Sequence, residues 1–239
     1  MIETFTILLL AHLLADFVFQ PERFAKRKGE VGVLTVHIAI VTVTAFLALG
    51  YFAPMILVPI AVTHFVIDLT KSRLGTFNLR WFLGDQGAHI AVVAAVSILA
   101  PADLSKSLIY VHLNAAELAS TLSAMMLGSG FILAVLAGTY GVELFVKPHA
   151  DTLGDALNGL PKGGRVIGQL ERFLVFIFSV THNPAGIGFL IAAKSILRFG
   201  DISNHSQRKV AEYVIIGTLC SFSWAIGFSQ LAMWAAGLF

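Results

Sequence analysis

Seven ionisable residues of the first hundred lie in or at the ends of otherwise apolar runs, and their types could do chemistry. They are His12, Asp16, His37, His64, Asp68, Asp85 and His89. A charge or an imidazole inside a membrane helix is costly, so such residues indicate a functional site. The pairs His12–Asp16, His64–Asp68 and Asp85–His89 share a spacing of four, which places both side chains of a pair on one helix face.

Four imidazoles and three carboxylates are suitable ligands for one divalent transition metal, or for two that share ligands. Nitrogen and oxygen ligands suit Zn, Fe or Mn, and the absence of thiolates argues against Cu(I) and iron–sulfur clusters. We expect all seven residues to be metal ligands, with Asp85 also a candidate bridge or catalytic base. The same residue types serve in proton or metal-ion pathways of carriers, and this alternative stays open.

The arrangement repeats along the chain at an offset of 52 residues. This offset relates His12 to His64, Asp16 to Asp68, and His37 to His89. The pattern predicts a tandem duplication of a two-helix unit, residues 1–51 and 53–102, with a pseudo-two-fold axis along the membrane normal. Asp85 breaks the repeat, because Val33 occupies the corresponding position.

Composition defines the class of protein. Of 239 residues, 57% are apolar and 13% charged, and the mean hydropathy is +0.83. These values are typical of an integral membrane protein. The basic residues lie in short loops, so no nucleic-acid partner is expected; membrane lipid is the expected partner, and an oligomer is left open.

Apolar runs and breaks predict an all-α polytopic bundle of about seven or eight membrane helices. The predicted helices are residues 3–20, 33–53, 54–70, 81–100, 118–146, 168–180, 187–199 and 211–234. We expect a metal-site unit at 1–102 and a C-terminal unit at 118–239, with a broken or re-entrant helix pair near 168–199. The basic loops place the N-terminus outside and the metal site near the cytoplasmic side.

A second group of charged residues lies in the C-terminal half. Arg165, Arg172, Lys194 and Arg198 could together bind a phosphate or a lipid head group. The alternative is that they are interfacial anchors and partners in Glu–Arg pairs, such as Glu171 with Arg198.

Several motifs carry a family resemblance. The segments AHLLADFVFQ, VTHFVIDLTKSRL and GDQGAH, which contain HLLADFxxQ, HxxxD and DQxxH motifs, resemble a family of bacterial inner-membrane proteins classed as a domain of unknown function. The segments GRVIGQLERFLVF, IAAKSILRFGD and AEYVIIGTLCSF resemble the C-terminal half of longer members. The His and Asp content of short membrane helices is more loosely similar to membrane-bound metal-dependent hydrolases.

These observations together predict a metalloenzyme of the bacterial inner membrane. The favoured activity is hydrolysis of a lipid-linked or amphipathic substrate at the cytoplasmic leaflet. The alternatives are a metal-ion or proton-coupled transporter that uses the same cluster, and a scaffold protein with a structural metal.

Overall fold

A computed structural model describes residues 1–20, 30–76, 78–153, 162–198 and 205–239, which are helical with short connections and contain no strand. The helices are α1 (Ile2–Phe17), α2 (Val31–Leu49), α3 (Pro54–Leu74), α4 (Leu79–Leu99), α5 (Ala115–Phe131), α6 (Gly138–Ala150), α7 (Gly163–Val180), α8 (Pro184–Arg198) and α9 (His205–Ala236). A π-helical turn, Ile132–Ala137, joins α5 to α6. The all-α prediction is confirmed. Of the connection between the first two predicted helices, residues 21–29 lie outside the described residues.

Five helical stretches are long and apolar enough to cross a membrane. They are Val31–Leu49, Pro54–Leu74, Leu79–Leu99, Ala115–Ala150 and Arg208–Ala236. With 16 residues, α1 is about 24 Å long, shorter than a hydrocarbon core of about 30 Å. Since α8 has only 15 residues and α7 carries Arg165, Glu171 and Arg172, a total of seven or eight spans stays a prediction.

Local sequence signals set where α3 and α4 begin. Pro54 lies in the first turn of α3, where its missing N–H would have no intrahelical partner in any case. Asn78 precedes α4, and its side-chain oxygen accepts a hydrogen bond from the backbone N–H of Trp81 at 3.0 Å. This cap satisfies one of the otherwise unpaired donors at the helix start, so α4 begins close to the predicted residue 81.

The chain forms two compact units, residues 1–129 with 235–239, and residues 130–234. In the first unit, α1 and α3 each pack against both α2 and α4, so the four helices form a closed ring. Apolar side chains fill part of its interior, among them Leu8, Val41 and Ile60. The outward faces are also apolar, as Met55 and Leu99 show, and a helix apolar on all sides suits a lipid environment.

The connection after α4 packs against the end of α2. Gly50 ends α2 with a φ of 71°, a left-handed conformation that favours glycine. Its carbonyl accepts a hydrogen bond from the Leu108 N–H at 3.0 Å. The Tyr110 hydroxyl donates to the Ala48 carbonyl at 2.8 Å, and burial raises the pKa of Tyr110 to about 12, which keeps the hydroxyl a donor.

In the second unit, α7 and α8 form a hairpin. The turn between them contains His182 at a φ of 54°, and the Asn183 side chain accepts a hydrogen bond from the Gly186 N–H at 3.1 Å. The ionic contact between Glu171 and Lys194, at 2.7 Å, joins the two helices. The predicted broken pair near 168–199 therefore corresponds to two antiparallel helices, and whether they span the membrane or re-enter stays open.

Candidate metal centre

The first unit brings all seven ionisable residues of its four-helix ring into one cluster. The helix α1 contributes His12 and Asp16, α2 contributes His37, α3 contributes His64 and Asp68, and α4 contributes Asp85 and His89. The four histidines, Asp68 and Asp85 are between 1% and 5% exposed, and the Asp16 side chain is 5% exposed. Burial of so many ionisable groups is costly unless each is paired or binds a metal.

Four atoms form the centre of this cluster. The Nε2 atoms of His37 and His64 lie 3.2 Å apart. Oδ1 of Asp16 lies 3.2 Å from the first of these nitrogens and 3.4 Å from the second. Oδ2 of Asp68 lies 3.4 Å and 3.6 Å from the same two atoms. Two nitrogens and two oxygens from three helices therefore lie in mutual contact around the His37–His64 pair.

This spacing is close to that between neighbouring ligands of one metal ion. Ligands about 2.0–2.2 Å from a central zinc ion are separated from one another by about 3.3–3.6 Å, and the five distances are between 3.2 and 3.6 Å. A proton on either Nε2 can be donated along only one direction, so hydrogen bonding cannot satisfy all five contacts. One cation at the centre would satisfy all of them.

The ligand atoms of the cluster extend beyond these four. Three sets have ligand atoms within 4.8 Å of one another and could hold a metal ion: His12, Asp16 and His64; His37, His64 and Asp68; and Asp68, Asp85 and His89. Because the sets share His64 and Asp68, they form one continuous group of ligands. The expectation that buried His and Asp residues could hold a metal is thereby supported, without a choice of metal.

Two neighbouring side chains orient the carboxylates. Lys71, in the last turn of α3, places its Nζ 2.6 Å from Asp85 Oδ2. The Gln86 side-chain amide donates to Asp16 Oδ2 at 3.1 Å and to Asp85 Oδ2 at 3.2 Å. Neither Gln86 nor Lys71 is among the seven ligands expected from the sequence, and Lys71 follows directly after the helix predicted at 54–70. The signal for Lys71 was its position three residues after Asp68, on the same helix face.

A small cavity lies beside the histidines. It has a volume of about 10 Å³, room for about one water molecule. His12, His64 and His89 line it on one side, and the remaining lining is apolar except for Thr63: Leu8, Val41, Ala45, Ile60, Val92 and Val93. The Thr63 hydroxyl donates to the Pro59 carbonyl at 2.6 Å. The cluster thus faces a water-sized space that is otherwise bounded by hydrocarbon.

The C-terminal basic residues are engaged within the second unit. Arg172 is 3% exposed, and its guanidinium donates to the Val135 carbonyl, Thr139 Oγ1 and Ser221 Oγ at 2.8–3.3 Å. Arg165 contacts Glu143 at 2.7 Å, and Lys194 contacts Glu171. The side chain of Arg198 lies outside the described residues. The contacts described for these residues are all made to other groups of the same chain. Head-group binding by the four residues stays a prediction.

The fold and the cluster define an all-helical chain with membrane-helix candidates and a buried His/Asp centre. A family model described as "Protein of unknown function (DUF3307)" matches residues 4–116. This range contains the four-helix ring and all seven cluster residues, and it confirms the resemblance to a domain of unknown function over that part of the chain. No curated protein and no solved structure matches the chain. The likeness to membrane-bound hydrolases stays a prediction.

Proposed function

We propose that this protein is a membrane-embedded metalloenzyme whose metal ion is held by Asp16, His37, His64 and Asp68. The observation that carries the proposal is the set of five distances between 3.2 and 3.6 Å that join Nε2 of the two histidines to each other and to one oxygen of each aspartate. The four atoms come from three helices and are buried, so a bound ion would be held by a rigid scaffold.

Zinc is the first candidate among the metals that suit these ligands. Imidazole nitrogens and carboxylate oxygens bind Zn, Fe and Mn, and zinc needs the fewest ligands of the three. Mn and Fe, which prefer more ligands, would require further side chains of the cluster to contribute.

Hydrolysis is the reaction that the surroundings support best. A divalent ion bound here with one coordination position left open would supply Lewis acidity and lower the pKa of water in that position. The cavity beside His12, His64 and His89 has room for about one water molecule. Water oxygen would bond to the carbonyl or phosphoryl centre of the substrate, the bond to the leaving group would break, and the proton would pass to the leaving group. If the centre holds a single ion, Asp85, whose Oδ1 has no hydrogen-bond partner in the described part of the chain, is the candidate base.

The apolar barrier beyond the cavity favours an enzyme over a carrier. A carrier needs polar groups along a route to both faces of the membrane. Here the lining includes Leu8, Val41, Ala45, Ile60 and Val93, which belong to the apolar core of the ring. These side chains offer no groups that could relay an ion, and this favours a catalytic site.

The position of the cluster suits an amphipathic or lipid-linked substrate. Asp16 is in the last turn of α1, and Asp68 is one turn from the basic end of α3, where Lys71 and Arg73 lie. A polar head group could enter at that end while its acyl chain lies along exposed apolar side chains such as Val62 and Val66. By the positive-inside rule, this end faces the cytoplasm of a bacterial inner membrane.

The test combines metal analysis with activity. The protein is purified in detergent without chelators, and its Zn, Fe and Mn contents are measured beside those of His37→Ala and of His112→Ala, an exposed loop histidine. We expect near-stoichiometric zinc in the wild type and in His112→Ala, and its loss in His37→Ala. Fluorogenic lipid esters and lipid phosphodiesters in mixed micelles should then be hydrolysed only by the metal-loaded proteins.

Two results would contradict the proposal. Wild-type protein that binds none of the three metals, even when each is offered in turn, would exclude a metalloenzyme. Metal-dependent ion flux into proteoliposomes, lost in His37→Ala and without hydrolysis of any substrate, would identify a carrier instead.

A further inference from the structure

We propose that the cluster binds a second metal ion, held by Asp68, Asp85 and His89, so that the centre is dinuclear with Asp68 shared between the two ions. The proposal rests on the proposed function, because it extends the site of the first ion. The ligand atoms of these three residues lie within 4.8 Å of one another, and Asp68 also contacts His37 and His64 of the first site.

His89 is prepared to bind a metal through Nε2. Its Nδ1 lies 2.9 Å from the backbone carbonyl of Asp85, and a carbonyl only accepts hydrogen bonds, so Nδ1 carries the proton and Nε2 carries the lone pair. Metal-binding histidines usually donate their other ring nitrogen to a carbonyl or a carboxylate in this way. Nε2 is buried and has no hydrogen-bond partner among the described residues.

One carboxylate oxygen of Asp85 accepts hydrogen bonds from neighbouring side chains, and the other is available to bind a metal ion. Oδ2 accepts hydrogen bonds from Lys71 at 2.6 Å and from Gln86 at 3.2 Å. Oδ1 is buried, and no described residue donates a hydrogen bond to it. Lys71 and Gln86 hold the carboxylate in place, so Oδ1 is a fixed anionic ligand.

His12 borders the second site. Its ring stacks on that of His89 with centroids 5.1 Å apart and an interplanar angle of 24°. Nε2 of His12 is likewise buried without a partner in the described ranges. His12 and His89 both border the water-sized cavity, so a water molecule there would lie beside the second ion. Dinuclear sites with ions about 3.5–4 Å apart position such a water between both metals.

The experiment measures metal stoichiometry and magnetic coupling in the full-length protein in detergent. Wild type, His89→Ala, Asp85→Asn and His37→Ala are loaded with Mn²⁺, freed of excess ion, and examined by elemental analysis and electron paramagnetic resonance. His112→Ala and Asp151→Asn, both exposed in the structure, are the matched controls. Asp85→Asn preserves the size of the side chain, and elution as a monodisperse peak verifies folding of each variant.

We expect two ions per chain in the wild type and the controls, with the spectrum of an exchange-coupled Mn²⁺ pair. His89→Ala and Asp85→Asn should each retain one ion and show the spectrum of isolated Mn²⁺. One ion per wild-type chain, unchanged in both variants, would overturn the second site and leave the proposed function intact. No bound ion in the wild type, whether Mn²⁺ or, in a parallel preparation, Zn²⁺ or Fe²⁺ is offered, would overturn both.

Discussion

The Nε2 atoms of His37 and His64 lie 3.2 Å apart, although the two residues are 27 positions apart in the chain. Each of these nitrogens also lies within 3.6 Å of oxygens from Asp16 and Asp68. Direct contact between two imidazole nitrogens uses one donor and one acceptor, and the aspartate oxygens then compete for the same protons. A cation bound among the four atoms would resolve this competition.

Removal of either central histidine should abolish tight metal binding. Mutation of a residue that only orients a ligand typically lowers metal affinity by about 10–100-fold. Loss of a ligand itself should therefore lower the affinity by more than about 100-fold. We expect this loss in both His37→Ala and His64→Ala, measured by competition with a chromophoric chelator. Tight binding retained in His37→Ala would contradict the placement of its Nε2 at the centre.

Gln86 should act through the carboxylates that it orients. Its amide donates to both Asp16 and Asp85, and Gln86→Leu removes both hydrogen bonds with little change in size. We expect a metal affinity about 10–100-fold lower without loss of stoichiometry at saturating metal. An unchanged dissociation constant would mean that Gln86 does not orient the ligands.

The Lys71–Asp85 contact should appear as a coupling in a double-mutant cycle. The Lys71 side chain is 34% exposed while that of Asp85 is 2% exposed. We therefore expect an interaction stronger than that of a surface ion pair and weaker than that of a fully buried one. Measured in metal-free protein by denaturant titration in detergent, Lys71→Met and Asp85→Asn should couple by about 1–2 kcal/mol. Arg73→Met, an exposed neighbour, should show no coupling with Asp85→Asn.

Gly50→Ala should destabilise the first unit. A Cβ at this position would lie 2.5 Å from Ser107 Oγ, and the φ of 71° strains any residue with a side chain. We expect a free energy of unfolding lower by about 1–2 kcal/mol. Gly32→Ala is the matched control, because a Cβ added at that position would have no other atom within 4 Å among the described residues, and it should be neutral or slightly stabilising.

Arg172 should contribute to stability and not to lipid binding. Its guanidinium is buried and donates to Val135, Thr139 and Ser221, and hydrogen bonds from a charged group are worth about 1.5–3 kcal/mol. We expect Arg172→Leu to lower the free energy of unfolding by about that amount while metal content is unchanged. A selective loss of affinity for anionic lipid vesicles, with stability unaltered, would instead support the head-group prediction.

Much of the helical framework could be predicted from the sequence. The four helices of the ring begin and end within four residues of their predicted bounds, because long apolar runs and breaks such as Pro54 set these limits. The cluster could be anticipated as well. Ionisable residues in apolar helices are costly unless they pair with one another or bind a metal, so seven of them are expected to lie together. The spacing of four placed each His–Asp pair on one helix face, as found for His64 and Asp68.

The internal geometry of the cluster could not be predicted. The 52-residue repeat relates His37 to His89, yet His37 lies at the central contact with His64 while His89 bonds to the Asp85 carbonyl. Which imidazoles meet depends on the rotation of each helix about its axis, and that rotation is set by packing across the ring. Lys71 was missed for a related reason: α3 continues to Leu74, which turns an expected loop lysine toward Asp85.

The most direct test of the central claim is an anomalous difference map at the zinc edge, from crystals of protein purified with zinc. The account predicts a peak about 2.0–2.2 Å from Nε2 of His37, Nε2 of His64, and one oxygen each of Asp16 and Asp68. A map from zinc-supplied crystals with no peak among these four atoms would contradict it.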